Sequence, residues 1–402
     1  LEARAGRPIA VTAVSARSRG KDRGVDISTL GWEDDPVALA RREDVDVFVE
    51  LMGGEDGPAK AAVEAALERG APVVTANKAM LAIHGQALAE RAEAKGAALR
   101  FEAAVAGGIP CVKALTEGLA ANRVERVLGV MNGTCNYILT RMESAGLSYE
   151  EVFEEARALG YLEADPTLDV GGIDAGHKLA ILSGIAFGTR VDFGAVRLQG
   201  IERVSIDDIR RARDMGYRIK LLGVARRSGD TVEQSMRPTL VPAESALGQL
   251  EGATNMVVIE GDAAGQIMLR GAGAGAGPTA SAVLADIIDI ARAGPGAPLP
   301  PFGQPAGTLR HAPPAEAETP CAHYLRTALR DRPGALARVA AVLGEAGISI
   351  DRMRQYDHPG QDAPVLIVTH PCAPGALASA LEGLEAMEDV TAPPVALQIQ
   401  NV

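Results

Sequence analysis

The first hundred residues alternate short apolar runs with longer alanine-rich stretches. The runs at 9–14, 45–51 (VDVFVEL), 72–75 and from 99 onward are short and rich in β-branched residues, which predicts buried strands. The stretches 59–69 and 86–95 between them read as helices. Strands alternating with helices in this way predict a parallel, doubly wound α/β sheet. From about 123 the pattern changes. Residues 124–131 read as a strand running into a turn at 132–138 (NGTCNYI), and helices are expected at 149–159 and 174–187. Alternating positions at 218–226, 232–240 and 255–260 predict antiparallel strands. A glycine-rich turn (GAGAGAG) then ends in Pro278 and Thr279 near the start of an amphipathic helix within 271–292. Residues 294–320 are rich in Pro, Gly and Ala and read as a linker. Beyond it come a strand (324–329), helix (336–346), strand (348–353), strand (364–369), helix (376–386) and strand (395–400), the βαββαβ order of a ferredoxin-like module. The expected division is 1–122 with a return segment at 271–293, then 123–270, the linker, and 321–402.

A chain of 402 residues suffices for two or three such units, and 47% hydrophobic residues suffice for their cores. With 3% aromatics, those cores are aliphatic. A net charge of −12 argues against a nucleic-acid or anionic-membrane partner. The apolar runs are too short to span a bilayer, and nothing reads as a signal peptide. Cys111, Cys135, Cys321 and Cys372 lie far apart with no CxxC, so neither a zinc site nor a disulfide framework is indicated. A reduced, cytoplasmic setting fits that usage. The opening LEARAGRP reads like the end of a helix, and no GxGxxG loop precedes the first strand. An N-terminal piece carrying that loop is therefore expected to be missing, which puts cofactor affinity in question.

The densest chemistry lies in 160–178, GYLEADPTLDVGGIDAGHK, where four carboxylates precede a lysine and an apolar helix. Asp174 and Lys178 are four apart and share one helix face. That pair is either an ordinary salt bridge or a proton-transfer site at the mouth of a buried helix. Asn77 and Lys78 follow a strand end, where ligands bind in open α/β sheets; a solvated surface lysine is the plainer alternative. In FEAAVAGGIP (101–110), Glu102 and the crowded backbone around Gly107 and Gly108 either wrap carbonyls around a hard cation or form a simple turn. Arg17 follows what reads as the second strand of the fold, the first being missing, where a basic group rather than Asp or Glu suits a 2′-phosphate, unless the loop is merely solvated. Cys135 has no neighbouring histidine and reads as a buried thiol rather than a nucleophile.

VELMGG (49–54), VVTANKAMLAIHG, FEAAVAGGIP, NGTCNYIL, LGYLEADPTLDVGGIDAGHKLAI, GYRIKLLG and GAGAGAGPTASAV, in this order, resemble homoserine dehydrogenase over about 45–292. DRPGALARVAAVLGEAGISI resembles an ACT regulatory domain, as in the long bacterial form of that enzyme. The resemblance implies a Rossmann-like cofactor domain, incomplete at its N-terminus, an α+β catalytic and dimerisation domain, and the ACT module. It implies interconversion of L-homoserine and L-aspartate 4-semialdehyde with NADP or NAD. By motif, Lys178 is the acid/base, and Lys78 binds cofactor or assists proton transfer. Glu163 and Asp174 grip the substrate, and Gly160 and Gly275 approach the nucleotide. Glu102 with the carbonyls of Val105, Gly107 and Ile109 forms a monovalent cation site, usually for sodium. Arg17, helped by Arg19 and Lys21, is expected to favour NADP. Threonine is the implied effector, bound near 331–335 and 347–350, and a homodimer or homotetramer is the implied assembly. Two alternatives stand beside this reading. One is a semialdehyde dehydrogenase using the Cys135 thiol. The other is a catalytically dead amino-acid sensor, against which the intact Lys178, Glu163 and Asp174 argue.

Overall fold

The structure, a computed structural model, describes residues 1–162, 165–293, 298–315, 318–356 and 362–401. Near the N-terminus, Phe48–Glu50, Val73–Thr75 and Leu99–Arg100 form a parallel sheet in that order, and Ala13–Val14 pairs in parallel with Gly31–Trp32. Helices Pro58–Glu68 and Lys78–Ala94 connect the three strands. The strands are shorter than the apolar runs that predict them. The second helix is longer than expected. It begins at Lys78 because the Asn77 side chain caps it, accepting from the Met80 N–H at 3.1 Å. Asparagine two residues past a strand is the signal that alanine content alone does not carry.

The second region is built on an antiparallel sheet whose order is Gly265–Ala272, Thr254–Gly261, Val124–Val130, Tyr217–Ser228 and Thr231–Pro242. The first of these strands is not among those expected, and only its last two residues overlap the glycine-rich segment at 271–292. It is an edge strand with few buried positions, so its pattern is weak. The expected turn at 132–138 is instead the start of helix Gly133–Ala145. Asn132 caps it, accepting from the Cys135 N–H at 2.8 Å. Gly133 is required there, since a Cβ would stand 2.7 Å from the Ala253 carbonyl oxygen. Helix Ile206–Asp214 was also not predicted, although Ser205 and Asp208 form a capping box at its start. Helix Ile173–Phe187 lies under the sheet with Leu179, Ala180, Ile181 and Leu182 fully buried. Beyond its polar first turns, it is apolar on nearly all sides and is held by packing rather than by amphipathicity.

The C-terminal region is ferredoxin-like, as predicted, with strands in the order Val390–Ile399, Ala322–Arg330, Asp362–Thr369, Ile350–Gln355 and helices Ala335–Glu345 and Pro374–Glu385. Its sheet is not separate. Val390–Ile399 pairs in parallel with Thr231–Pro242 through Gln398–Thr239 and Ile399–Leu240, continuing the central sheet. The segment read as a linker is tied down over much of its described length. Phe302 is 1% exposed and tilts against Phe101 at 5.2 Å. It also sits where a Cβ on Gly85 would fall 2.9 Å away. The Ala306 N–H donates to Glu93, and Glu318 pairs with Arg237 at 2.6 Å and Arg197 at 2.8 Å. Proline and glycine here shape a packed strap, so composition misread it. Among the described residues, no helix is long and apolar enough to cross a membrane.

Candidate active site

Helix Ile173–Phe187 packs against helix Lys78–Ala94 and beneath strand Val124–Val130. That packing brings three ends together: the first turn of each helix and the residues just past the strand. Asp174 stands in the first turn of its helix, where the macrodipole favours an anion. Its Oδ2 accepts from Lys178 Nζ at 2.7 Å and from Asn132 Nδ2 at 3.1 Å. Its Oδ1 is paired with Lys78 Nζ at 3.0 Å. One carboxylate thus bridges two ammonium groups. Burial alone raises the Asp174 carboxyl, but the charges and hydrogen bonds of Lys178 and Lys78 outweigh it and hold the group well below the usual carboxylate range.

Lys178 is nearly buried, and its Nζ also donates to the Met131 carbonyl at 2.8 Å. Of its three N–H donors, two have these protein acceptors. Asn132 Nδ2 also donates to Asp169 Oδ1 at 2.9 Å, so one amide holds two carboxylates. Lys78 is a third exposed, which marks the open side of the cluster. Burial lowers the adjacent His177, whose ring lies 4.2 Å from that of Phe193. The sequence reading assigned no role to Asn132, Asp169 or the Met131 carbonyl. The clue was a helix-capping asparagine directly after a strand.

Glu163 falls outside the described residues. Gly160, at φ +74°, closes helix Tyr149–Ala158, and Gly275, at φ +111°, precedes helix Ala276–Ala293. Arg17 is exposed just past strand Ala13–Val14. Glu102 is 3% exposed and accepts from the N–H groups of Val112 and Lys113 at 2.9 and 2.8 Å. The backbone beyond it is a helical turn, Ala103–Ala106, in place of extended chain. Val105 and Ile109 are buried, and the Ile109 carbonyl accepts from the Cys111 N–H at 2.8 Å. At Gly107, φ +56°, a Cβ would meet the Gly273 backbone at 2.6 Å. Cys135 is fully buried, its thiol donates to the Asp169 carbonyl at 3.3 Å, and burial pushes that thiol well up. A buried, protonated thiol is a poor nucleophile, which weakens the semialdehyde dehydrogenase alternative.

The carboxyl ends of the parallel strands form a second polar cluster. Buried Glu50 accepts from the N–H groups of Met52 and Gly53 at 2.6 and 3.0 Å and from the Thr75 hydroxyl at 2.6 Å. Asn77 Nδ2 donates to the Gly54 carbonyl at 2.7 Å. This fixes a glycine loop above the sheet while leaving Leu51 60% and Met52 46% exposed. A fixed glycine loop, exposed apolar side chains and the nearby Lys78 fit the flat rings and phosphates of a dinucleotide.

The family models agree with this layout. The homoserine dehydrogenase NAD-binding domain matches residues 1–102, homoserine dehydrogenase matches 110–288, and the ACT domain matches 323–389. A homoserine dehydrogenase from Neisseria gonorrhoeae is 43% identical over 407 aligned residues, covering 100% of this chain and 93% of that protein. The crystal structure of a homoserine dehydrogenase from Thiobacillus denitrificans superposes with a TM-score of 0.92 at 40% identity, covering 99% of this chain and 92% of that one. A hyperthermophilic archaeal homoserine dehydrogenase in complex with NADPH has a TM-score of 0.57 at 28% identity, covering 65% and 76%.

Proposed function

Because the chain belongs to the homoserine dehydrogenase family, and so is an NAD(P)-dependent oxidoreductase acting on L-homoserine and L-aspartate 4-semialdehyde, we propose that Lys178 carries the proton of that reaction. The observation behind this is the Asp174 carboxylate bridging Lys178 and Lys78. The nicotinamide supplies or accepts the hydride. In the oxidising direction, Lys178 as the neutral amine accepts the hydroxyl proton of homoserine and becomes the ammonium. In the reducing direction, its ammonium donates a proton to the carbonyl oxygen of the semialdehyde. Asp174 and the Met131 carbonyl aim Lys178 Nζ, leaving one N–H direction for substrate. Asn132, itself held by Asp169, holds Asp174 in turn. Lys78, at the exposed side, binds cofactor phosphate or assists the proton. Glu163 and Asp174 are the carboxylates for the substrate ammonium or hydroxyl. Gly160 and Gly275 let the nucleotide approach the backbone. The test is homoserine-dependent NADP reduction by the intact protein and by Lys178→Ala.

Arg17 supports a preference for NADP, since an exposed guanidinium past strand Ala13–Val14, read as the second strand of the fold, suits a 2′-phosphate. Arg17→Ala is expected to lower kcat/KM with NADP by about tenfold, the scale of one charge-assisted contact, and to spare NAD. Equal use of both cofactors before mutation would remove this role.

Glu102 supports a monovalent cation site, sodium in the first instance, with the carbonyls of Val105, Gly107 and Ile109. The donor set is a carboxylate and neutral oxygens, which fits a hard cation. Burial pushes the Glu102 carboxyl up to about 7. The unfolded chain ionises this group near pH ~4.3, and the folded chain holds the proton until about 7. The unfolded state therefore binds fewer protons in that window, and stability falls as pH rises through it. A bound cation favours the carboxylate and opposes that fall. In sodium-free buffer the wild-type melting temperature should drop across this window, the Glu102→Gln protein should not, and added sodium should flatten the wild-type curve. A wild-type protein indifferent to sodium and potassium in both stability and activity would leave only a turn.

Threonine as effector of the ACT region, a homodimer or homotetramer, and a cytoplasmic location complete the reading.

A further inference from the structure

The catalytic and ACT sheets join along a two-residue pairing, and a row of charges crosses the strands beside that seam. The registers put Glu260 opposite Arg126, Arg126 opposite Arg226, and Arg226 opposite Glu233. Residues directly opposite on antiparallel strands share a face, with Cβ atoms about 4.5–5.5 Å apart. The row therefore reads acid, base, base, acid over four strands, and its central like-charged pair is unfavourable.

The two halves of the row are satisfied differently. Arg126 and Glu260 form a bidentate pair at 2.7 and 2.5 Å. Arg226 and Glu233 make no ion pair, although they are neighbours. Glu233 Oε2 instead accepts from the Thr319 N–H and hydroxyl at 3.1 and 2.8 Å. The Arg226 guanidinium donates no hydrogen bond to any described residue, although its charge also acts on Glu260. Both side chains line one cavity of about 180 Å³, walled also by Arg126 and Val224 from the catalytic sheet and Gln398 and Ile399 from the ACT strand, and Arg226 faces an adjoining cavity of about 770 Å³ as well. A guanidinium held apart from its neighbouring carboxylate across an amphipathic cavity leaves room for a molecule carrying both opposite charges.

The geometry points to this cavity as a binding site for the zwitterion of a small α-amino acid. Its carboxylate lies on Arg226, its ammonium on Glu233 Oε1, and its short side chain against Val224 and Ile399. Glu233 disfavours a simple anion. The walls belong to both regions, so occupancy is linked to how the ACT strand docks, and an arrangement that binds the ligand more tightly gains population. The site is distinct from the Lys178 cluster and from the 331–335 turn.

The test uses the full-length protein, titrated calorimetrically with L-threonine, L-valine, acetate and inorganic phosphate. At least one amino acid should bind, with acetate and phosphate tenfold weaker or worse. Arg226→Gln should weaken amino-acid binding by about tenfold or more, Arg226→Lys should restore part of it, and Arg338→Gln beside the 331–335 turn should leave it unchanged. Turnover of homoserine without added amino acid should be unaffected by Arg226→Gln, which separates this site from the catalytic assignment. No amino-acid binding, binding unchanged in Arg226→Gln, loss in Arg338→Gln instead, or phosphate binding as tightly as the amino acids would each overturn the proposal.

Discussion

Lys178→Ala is expected to lower kcat by about 10²–10⁴-fold, the usual range for loss of a positioned acid or base. The packing of this helix rests on Leu179, Ala180, Ile181 and Leu182 beyond the lysine, so truncation leaves it in place. Cofactor affinity, read by fluorescence titration, should stay within a few-fold, because the glycine loop is held by hydrogen bonds of Glu50, Thr75 and Asn77 rather than of Lys178. Cys135→Ala serves as the contrasting variant, since its buried thiol bonds only to a backbone carbonyl among the described residues. It should retain turnover within a few-fold. A Lys178→Ala protein close to wild-type turnover, or a Cys135→Ala protein that loses it, would move the chemistry away from the lysine.

Asp174→Asn should damage both stability and turnover. The carboxylate is the common partner of two ammonium groups, and its side chain is 12% exposed against 10% for Lys178. Removing one member of a buried pair leaves the others uncompensated, at a cost of about 3–5 kcal/mol. The variant should therefore unfold at lower urea concentration than wild type, and kcat should fall because Lys178 loses the acceptor that aims it. Neutralising the lysine as well, in Asp174→Asn/Lys178→Met, should recover part of the stability and none of the activity. Single and double variants that add independently in urea would show that the pair is not energetically coupled.

Much of the architecture was legible in the pattern of the chain. Short β-branched runs separated by alanine-rich helices identified the parallel region, and strand-helix order identified the ferredoxin-like one. The i,i+4 spacing of Asp174 and Lys178 predicted a shared helix face, and the structure joins them at 2.7 Å. What periodicity could not reach were contacts between elements distant in sequence. Nothing local tells that Asn132 reaches both Asp169 and Asp174, 37 and 42 residues on, or that Lys78 meets Asp174. The segment Asn132–Ile138 looked like a turn because asparagine and glycine punctuate it; in context the asparagine is a helix cap and the glycine a close backbone approach. The strap at 298–315 and 318–320 was misread because proline and glycine content reports local conformation and is silent on burial, whereas Phe302 and Leu309 are buried side chains.

The central claim is that this chain moves a hydride between C4 of homoserine and the nicotinamide while Lys178 moves the hydroxyl proton. The most direct measurement is the fate of deuterium when the intact protein is incubated with homoserine dideuterated at C4 and oxidised NADP. The account predicts deuterium on the nicotinamide ring and aspartate 4-semialdehyde as the product, with the rate of transfer reduced at least a hundredfold in Lys178→Ala. Absence of deuterium from the ring, or transfer at an undiminished rate without Lys178, would contradict it.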